Sequence, residues 1–350
     1  MKKFFFSILA VGAIAACTKS EVQYEDAASQ ISFAPVASTA TKAVPGAVQG
    51  TAYLADETFY VWAYWQDIPT NCPCAAFDAA KTYINQKEFK KENSGLWEGK
   101  DKNYYWPKTG SLTFACLSPV GAPVSSVAHN VTEDKFTFNY NNPNKTDRTV
   151  DLMWSDCTLS HNEITAAGGV PVTFNHALAW ITFKVAGAAN DAALNGGYKI
   201  ESLTINNVNT TGSFDTKSKE WSNLDGPANY DVFNSTLMGQ AELTAEAKIL
   251  ENGYTDQNDR SRYGKPFNGT IVIPQFKEAG KCYQATLVYT NTLGDEPITE
   301  TVYLDLGQGW EIGKHYTYYI NFSSTKEIQI SPSVVDWVHE EKNTSVLNRY

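Results

Sequence analysis

Short runs of alternating or β-branched residues, each closed by Gly, Asn, Asp or Pro, recur along the whole chain and confine it to an all-β fold. Residues 58–65 (TFYVWAYW), 111–117, 172–174, 180–185 and 198–205 are such runs. Residues 270–273 form another, stopped by Pro274. Further on, 283–289 and 300–306 read as two strands joined through the turn at 291–295; 315–322 is a long alternating strand, and a last element begins at Ile328. No amphipathic stretch exceeds about two helical turns, and the best helix candidate is 243–250 (LTAEAKIL). The 9 Trp, 19 Tyr and 17 Phe suit pleated, half-buried surfaces. With 43% hydrophobic and only 19% charged residues, the chain has ample material for a core.

A length of 350 residues suits two domains. The best boundary lies at Ala166-Ala167-Gly168-Gly169, between an Asn/Asp-rich stretch at 139–156 and the dense strand pattern that starts at Val172. The spacing predicts two β-sandwich domains in tandem, 31–169 and 170–350. Ahead of them, Met1-Lys2-Lys3 is a basic start and residues 4–16 are an apolar run. That run is too short to span a bilayer as a helix and has the polarity order of a secretory signal peptide. It ends in Ile14-Ala15-Ala16-Cys17, which resembles a bacterial lipobox. The expectation is therefore a lipoprotein signal peptide at 1–16, lipidation of Cys17, a polar tether over 17–30, and anchoring at the outer membrane.

The totals exclude some functions. A net charge of −10 offers no general attraction to phosphate backbones, so no nucleic-acid partner is expected. Removing Cys17 leaves Cys72, Cys74, Cys116, Cys157 and Cys282, an odd number that cannot form a complete disulfide framework. Cys72-Pro73-Cys74 has no second C-x-C or nearby His to complete a zinc site and reads as a turn carrying thiols. His161-Asn162-Glu163, with Asp151 and Asp156, has metal-ligand chemistry but reads as polar loop. Gly307-Gln308-Gly309 lies between strands and reads as a tight turn. There is no nucleophile elbow, zinc-protease helix, Walker loop or dinucleotide-binding fingerprint. The reading is a non-enzyme with no metal and no cofactor.

The aromatic strand at 59–65 leaves two readings open. Both of its faces are large and apolar or amphipathic. Either the strand is buried on both, or Trp62, Tyr64 and Trp65 form an exposed platform for stacking on sugar rings. The second reading would make the chain an outer-membrane glycan-binding lipoprotein of a polysaccharide-uptake system.

A series of segments then gives the chain a resemblance. After the lipobox and tether come Ile31-Ser32-Phe33 and Ser38-Thr39-Ala40-Thr41-Lys42-Ala43. Later come Phe174-Asn175-His176-Ala177-Leu178-Ala179-Trp180, then Gly313-Lys314-His315-Tyr316, then Ile328-Gln329-Ile330-Ser331-Pro332 running to Asp336-Trp337. In this order they resemble the fimbrillin family of the Bacteroidales, including its Mfa-like members, lipoprotein precursors of type V pili. The resemblance implies two transthyretin-like, Greek-key β-sandwich domains and a non-catalytic pilus subunit or adhesin. It also implies assembly by β-strand addition: a protease cuts after a basic residue near the first strand, and a strand from another subunit fills the groove that is left. Lys42 matches the cut position, and the strand with Ile31, Phe33 and Val36 would be the one released. The best-known members carry Arg at the cut, and the tail beyond Trp337 is short, polar and poorly alternating. Both departures point away from a stalk, to a tip or accessory subunit that receives a strand without giving one, or to an anchor that stays lipidated. The implied partners are other pilus subunits, the outer-membrane lipid anchor, and host or bacterial surface glycans or proteins.

Overall fold

The computed structural model describes residues 30–336 except 38–50, 54–57, 67–80, 109, 131–132, 134, 143–150, 161–168, 188–196, 240, 245, 251–268 and 323–327. The first strands in chain order are β1 (Phe33–Ala37), β2 (Thr51–Ala52), β3 (Phe59–Gln66), β4 (Lys81–Lys91), β5 (Trp97–Gly99), β6 (Ser111–Ser118), β7 (Val124–Asn130) and β8 (Lys135–Asn141). Then come β9 (Met153–Ser160), β10 (Val170–His176), β11 (Ala179–Gly187), β12 (Tyr198–Asp215) and β13 (Glu220–Asn234). The helix α1 (Ser235–Met238) follows, capped by the Asn234 side chain on the Thr236 amide. The remaining strands are β14 (Ala241–Glu242), β15 (Lys248–Leu250), β16 (Thr270–Val272), β17 (Gln275–Phe276), β18 (Gln284–Asn291), β19 (Ile298–Asp305), β20 (Gly309–Trp310), β21 (Lys314–Phe322) and β22 (Ile328–Asp336). The chain is all-β, as its residue pattern requires.

Three sheets carry the fold. The first runs β10-β9-β6-β3-β4-β5-β1-β2, and because β1 also pairs with β10 it closes on itself. β6 (SLTFACLS) is buried at all eight positions. Its Leu112, Phe114 and Cys116 face the core enclosed by this sheet, while Ala115 and Leu117 face a second core outside it. A strand covered on both faces reads as a near-continuous apolar run, and β3 follows the same rule. The second sheet runs β15-β11-β21-β22, with β16 also on β11; β11 and β21 are parallel. The third runs β19-β18-β12-β8-β7, with β13 and β14 also on β12. The second and third sheets enclose the largest core, around Phe183, Ile200, Leu287, Trp310 and Tyr318.

Sheet pairing crosses the boundary expected at residue 169 in two places. β10, which would open the second domain, pairs with β1 and β9. β12 pairs with β18 along residues 198–206 and with β8 along 211–215. The core outside the first sheet likewise draws Trp62, Phe138 and Trp154 together with Phe214 and Ile271.

The helix expected at 243–250 does not form. Leu243 and Leu250 are both buried, and β15 pairs with β11 (Phe183 opposite Leu250). The demand for apolar cover at the edge of β11 overrides the local helix propensity of Ala, Glu and Lys.

Candidate functional site

The site is the seat of the first strand. Ile31, Phe33 and Pro35 point into the core of the first sheet and are buried, whereas Ser32 and Ala34 between them are half-buried on the other face. This is the period-2 alternation of a strand with one face covered. Phe33, at 0% exposure, meets Phe59, Phe89 and Phe114 edge-on, with ring centroids at 5.7, 5.0 and 5.3 Å. Such edge-to-face contacts match the positive rim of one ring to the negative face of another.

The backbone completes the seat. β1 runs parallel to β10 from Phe33 opposite Val170 to Ala37 opposite Phe174. Its other edge meets β5 through Phe33 and Trp97, and β2 through Val36 and Ala37. The Ile31 amide donates to the Tyr104 carbonyl at 2.7 Å, and the Val170 amide to the Ser32 carbonyl at 2.6 Å. Gln30 Nε2 donates to Glu98 Oε2 at 2.9 Å. Gly169 lets β10 approach this closely, since a Cβ there would sit 2.6 Å from the backbone carbon and oxygen of Ser32. β1 is thus the strand that closes the sheet between β5 and β10. Taking it away opens the sheet, bares two strand edges and uncovers the Phe59–Phe89–Phe114 pocket.

Tyr53, just after β2, covers one side of the same core. Its ring stacks on Phe174 with centroids 4.9 Å apart, and its hydroxyl shares a 2.7 Å hydrogen bond with Ser118. β1 and β2, which both lie at this core, are joined in sequence by residues 38–50, which include Lys42 and lie outside the described residues.

Of the residues singled out from sequence, Ile31 and Phe33 lie in this seat and Val36 is in β1, opposite Thr173 and Ala52. Lys42, Cys17, Cys72, Cys74 and His161-Asn162-Glu163 lie outside the described residues. Trp62, Tyr64 and Trp65 do not make a shared platform. Trp62 is 5% exposed, and it and Tyr64 face the core outside the first sheet. Half-buried Trp65 packs on the opposite face, with Lys81 Nζ 5.6 Å from its ring. Trp62 is buried, and half-buried Tyr64 and Trp65 lie on opposite faces of β3, so the three residues share no single exposed face. Asp151 pairs instead with His176 at 2.8 Å in a buried contact, and no group of three or more His, Cys, Asp or Glu among the described residues is placed to hold a metal ion. What sequence reasoning missed was β1's partner. The parallel ladder to β10 and the need for Gly169 join positions more than 130 residues apart, although Ile-x-Phe-x-Pro at 31–35 announces one apolar face.

A family model described as fimbrillin-like matches residues 41–337. The chain belongs to the fimbrillin-like family. That membership places it among pilus and adhesin subunits of the cell surface. No curated protein sequence matches it. Among solved structures, a fimbrial protein from Bacteroides vulgatus aligns with a TM-score of 0.58 at 12% identity, covering 89% of this chain and 100% of that one. A candidate cell adhesion protein from Bacteroides ovatus aligns with a TM-score of 0.50 at 17% identity, covering 89% of this chain and 99% of that one. At such identities the likeness is one of fold. The fimbrillin-like match begins at residue 41, after β1 has ended at Ala37.

Proposed function

We propose that this fimbrillin-like chain is a non-catalytic subunit of a cell-surface fimbrium that assembles by β-strand addition into the seat of β1. The observation that carries the reading is the closing position of β1: one short strand holds the sheet shut between β5 and β10. Its covalent connection to the rest of the chain runs through 38–50, where Lys42 is the only basic residue. Cutting after Lys42 frees β1 from its own chain. Once β1 leaves, a strand with apolar side chains at alternate positions would be held by the same backbone edge and the same pockets. Keeping β1 in place until then covers an edge that would otherwise promote aggregation.

The subunit belongs at a tip or accessory position. β22 is committed to its own sheet, paired with β21 along all nine residues, with Ile328 and Ile330 against the core and Lys314 bound to Asp336. A chain so engaged receives a strand more readily than it gives one. In this reading the precursor is two β-sandwich domains tethered to the outer membrane through lipid on Cys17, and its partners are the neighbouring pilus subunits.

Replacement of Lys42 by Gln tests this in the native cells. The expected result is a chain that keeps β1, remains with the membrane and is missing from sheared filaments. A Lys42→Gln chain that enters filaments at the wild-type level refutes the reading.

A further inference from the structure

β19 is an edge strand protected by acidic side chains alone, with no lysine, proline or bulge. It ends the third sheet, paired to β18 through all eight residues without a register shift, and no other described strand pairs with it. Proteins blunt such edges with charged side chains, lysine above all, and with proline, a bulge or shortness. Ile298–Asp305 (ITETVYLD) carries Glu300 and Asp305 but no lysine, proline or bulge, and is rich in β-branched residues. Ile298 is 58% and Tyr303 67% exposed. The surroundings are acidic: Asp295, Glu296, Glu300 and Asp305 fall within this hairpin, and no lysine or arginine occurs between Lys281 and Lys314.

β4 is the reverse. Residues 81–108 hold seven lysines against four acids, 7 − 4 = +3, within a chain whose net charge is −10. Lys90 and Lys100 are matched by Glu92 and Glu88. Lys81, Lys87 and Lys91 have no carboxylate partner among the described residues; Lys81 and Lys91 rest over the rings of Trp65 and Trp97. β3 lines one edge of β4, but β5 covers the other only from Phe89 to Lys91. The outer edge of residues 81–87 is therefore without a strand among the described residues.

We propose that β19 of one copy docks along the lysine-bearing outer edge of β4 of a second copy. Backbone pairing between two edges that no described strand occupies supplies the contact, and the opposite charges choose the partner. Charge rules out the simpler arrangements. Two β19 edges would bring four acids against four acids, and two β4 edges would set lysines against lysines. Because the two surfaces differ, the contact is heterologous and repeats from copy to copy instead of stopping at a dimer. It uses neither the β1 seat nor β22, so it arranges subunits side by side whether or not strands are exchanged.

Charge reversal tests the proposal in the purified full chain, held in a neutral detergent and followed by sedimentation velocity. The wild type is expected to associate with rising concentration at low salt and to dissociate in about 1 M salt, where the screening length falls to about 3 Å. Lys81→Glu with Lys87→Glu, and separately Asp295→Lys with Asp305→Lys, should each weaken association about tenfold or more. All four positions are on the surface, and circular dichroism checks that each variant keeps its fold. An equimolar mixture of the two variants should regain pairwise association, since the first keeps the wild-type β19 edge and the second the wild-type β4 edge. A wild type that stays monomeric at low salt, reversals without effect, or a mixture that fails to recover overturns the proposal. So does a monomeric wild type that binds a polyanionic polysaccharide through Lys81 and Lys87, which assigns the β4 edge to a glycan.

Discussion

Replacing Phe33 by Ala probes how separately β1 is held. The side chain is fully buried and contacts three phenylalanine rings, so its truncation removes a large apolar group and leaves a cavity. Losses of this type cost about 3–5 kcal/mol. If β1 opens as a unit while the remaining sheets stay folded, that cost falls almost wholly on the local opening. At about 1.4 kcal/mol per tenfold, opening becomes roughly 150- to 4,000-fold more frequent. Amide hydrogen exchange of the full chain reads this directly. The Ile31 amide, bound to Tyr104, and the Val170 amide, bound to Ser32, should exchange faster by that factor. Amides in the β21–β22 ladder should hold their wild-type rates. An equal rise at all of these amides would mean that β1 opens only with the whole molecule. No rise at Ile31 and Val170 would mean that the Phe33 pocket does not hold the strand. Either result refutes the account of a detachable closing strand.

Two further predictions rest on single contacts. Gly169→Ala places a methyl group 2.6 Å from the Ser32 backbone, so β10 and β1 must separate; a loss of about 1–3 kcal/mol in thermal or denaturant unfolding is expected, and an unchanged midpoint would refute the close packing. His315 lies flat on Trp180 with ring centroids 3.6 Å apart and bonds Thr182 through Nε2 at 2.9 Å; burial, with Lys184 adding a smaller effect, lowers its pKa from 6.5 to about 4. Between those two values the unfolded chain takes up a proton that the folded chain refuses, so stability should fall as pH drops from about 6.5 towards 4 and should be insensitive to this group above 6.5. His315→Gln should flatten that slope relative to the wild type in denaturant titrations at several pH values, and an identical slope would show that His315 is not the group responsible.

Where burial follows residue pattern, much of the fold was legible in the sequence. β3, β6, β11, β18, β19 and β21 lie where alternating or β-branched runs placed them. β4 escaped notice because KTYINQKEFKK is mostly polar: only Ile84 and Phe89 are buried, and a bulge at Gln86, φ 48°, breaks the alternation. β8 and β9 overlap the Asn/Asp-rich stretch at 139–156, whose composition disfavours strands, yet Tyr140 and Trp154 are deeply buried. The 18-residue β12 shows a strand pattern only over 198–205, because bulges near Ile205 and Thr211 interrupt the alternation beyond it. Pairing between distant strands leaves little local trace. Ile31 and Phe33 announced an apolar face, but the ring of phenylalanines around Phe33 comes from β3, β4 and β6, and Gly169 matters only because Ser32 lies against it. Trp62 and Trp65 depend on packing in the same way: sequence shows an aromatic strand, and only the packing shows that Trp62 is buried on one face while half-buried Trp65 packs on the other.

The central claim is that β1 leaves the mature subunit and another strand takes its seat. Mass spectrometry of the chain's N-terminus, taken from sheared filaments of the native cells, addresses it most directly. The account predicts a chain beginning at Ala43 in the filaments, with Ile31 to Val36 gone. A filament-borne chain that still begins at lipidated Cys17 and retains Phe33 would contradict it.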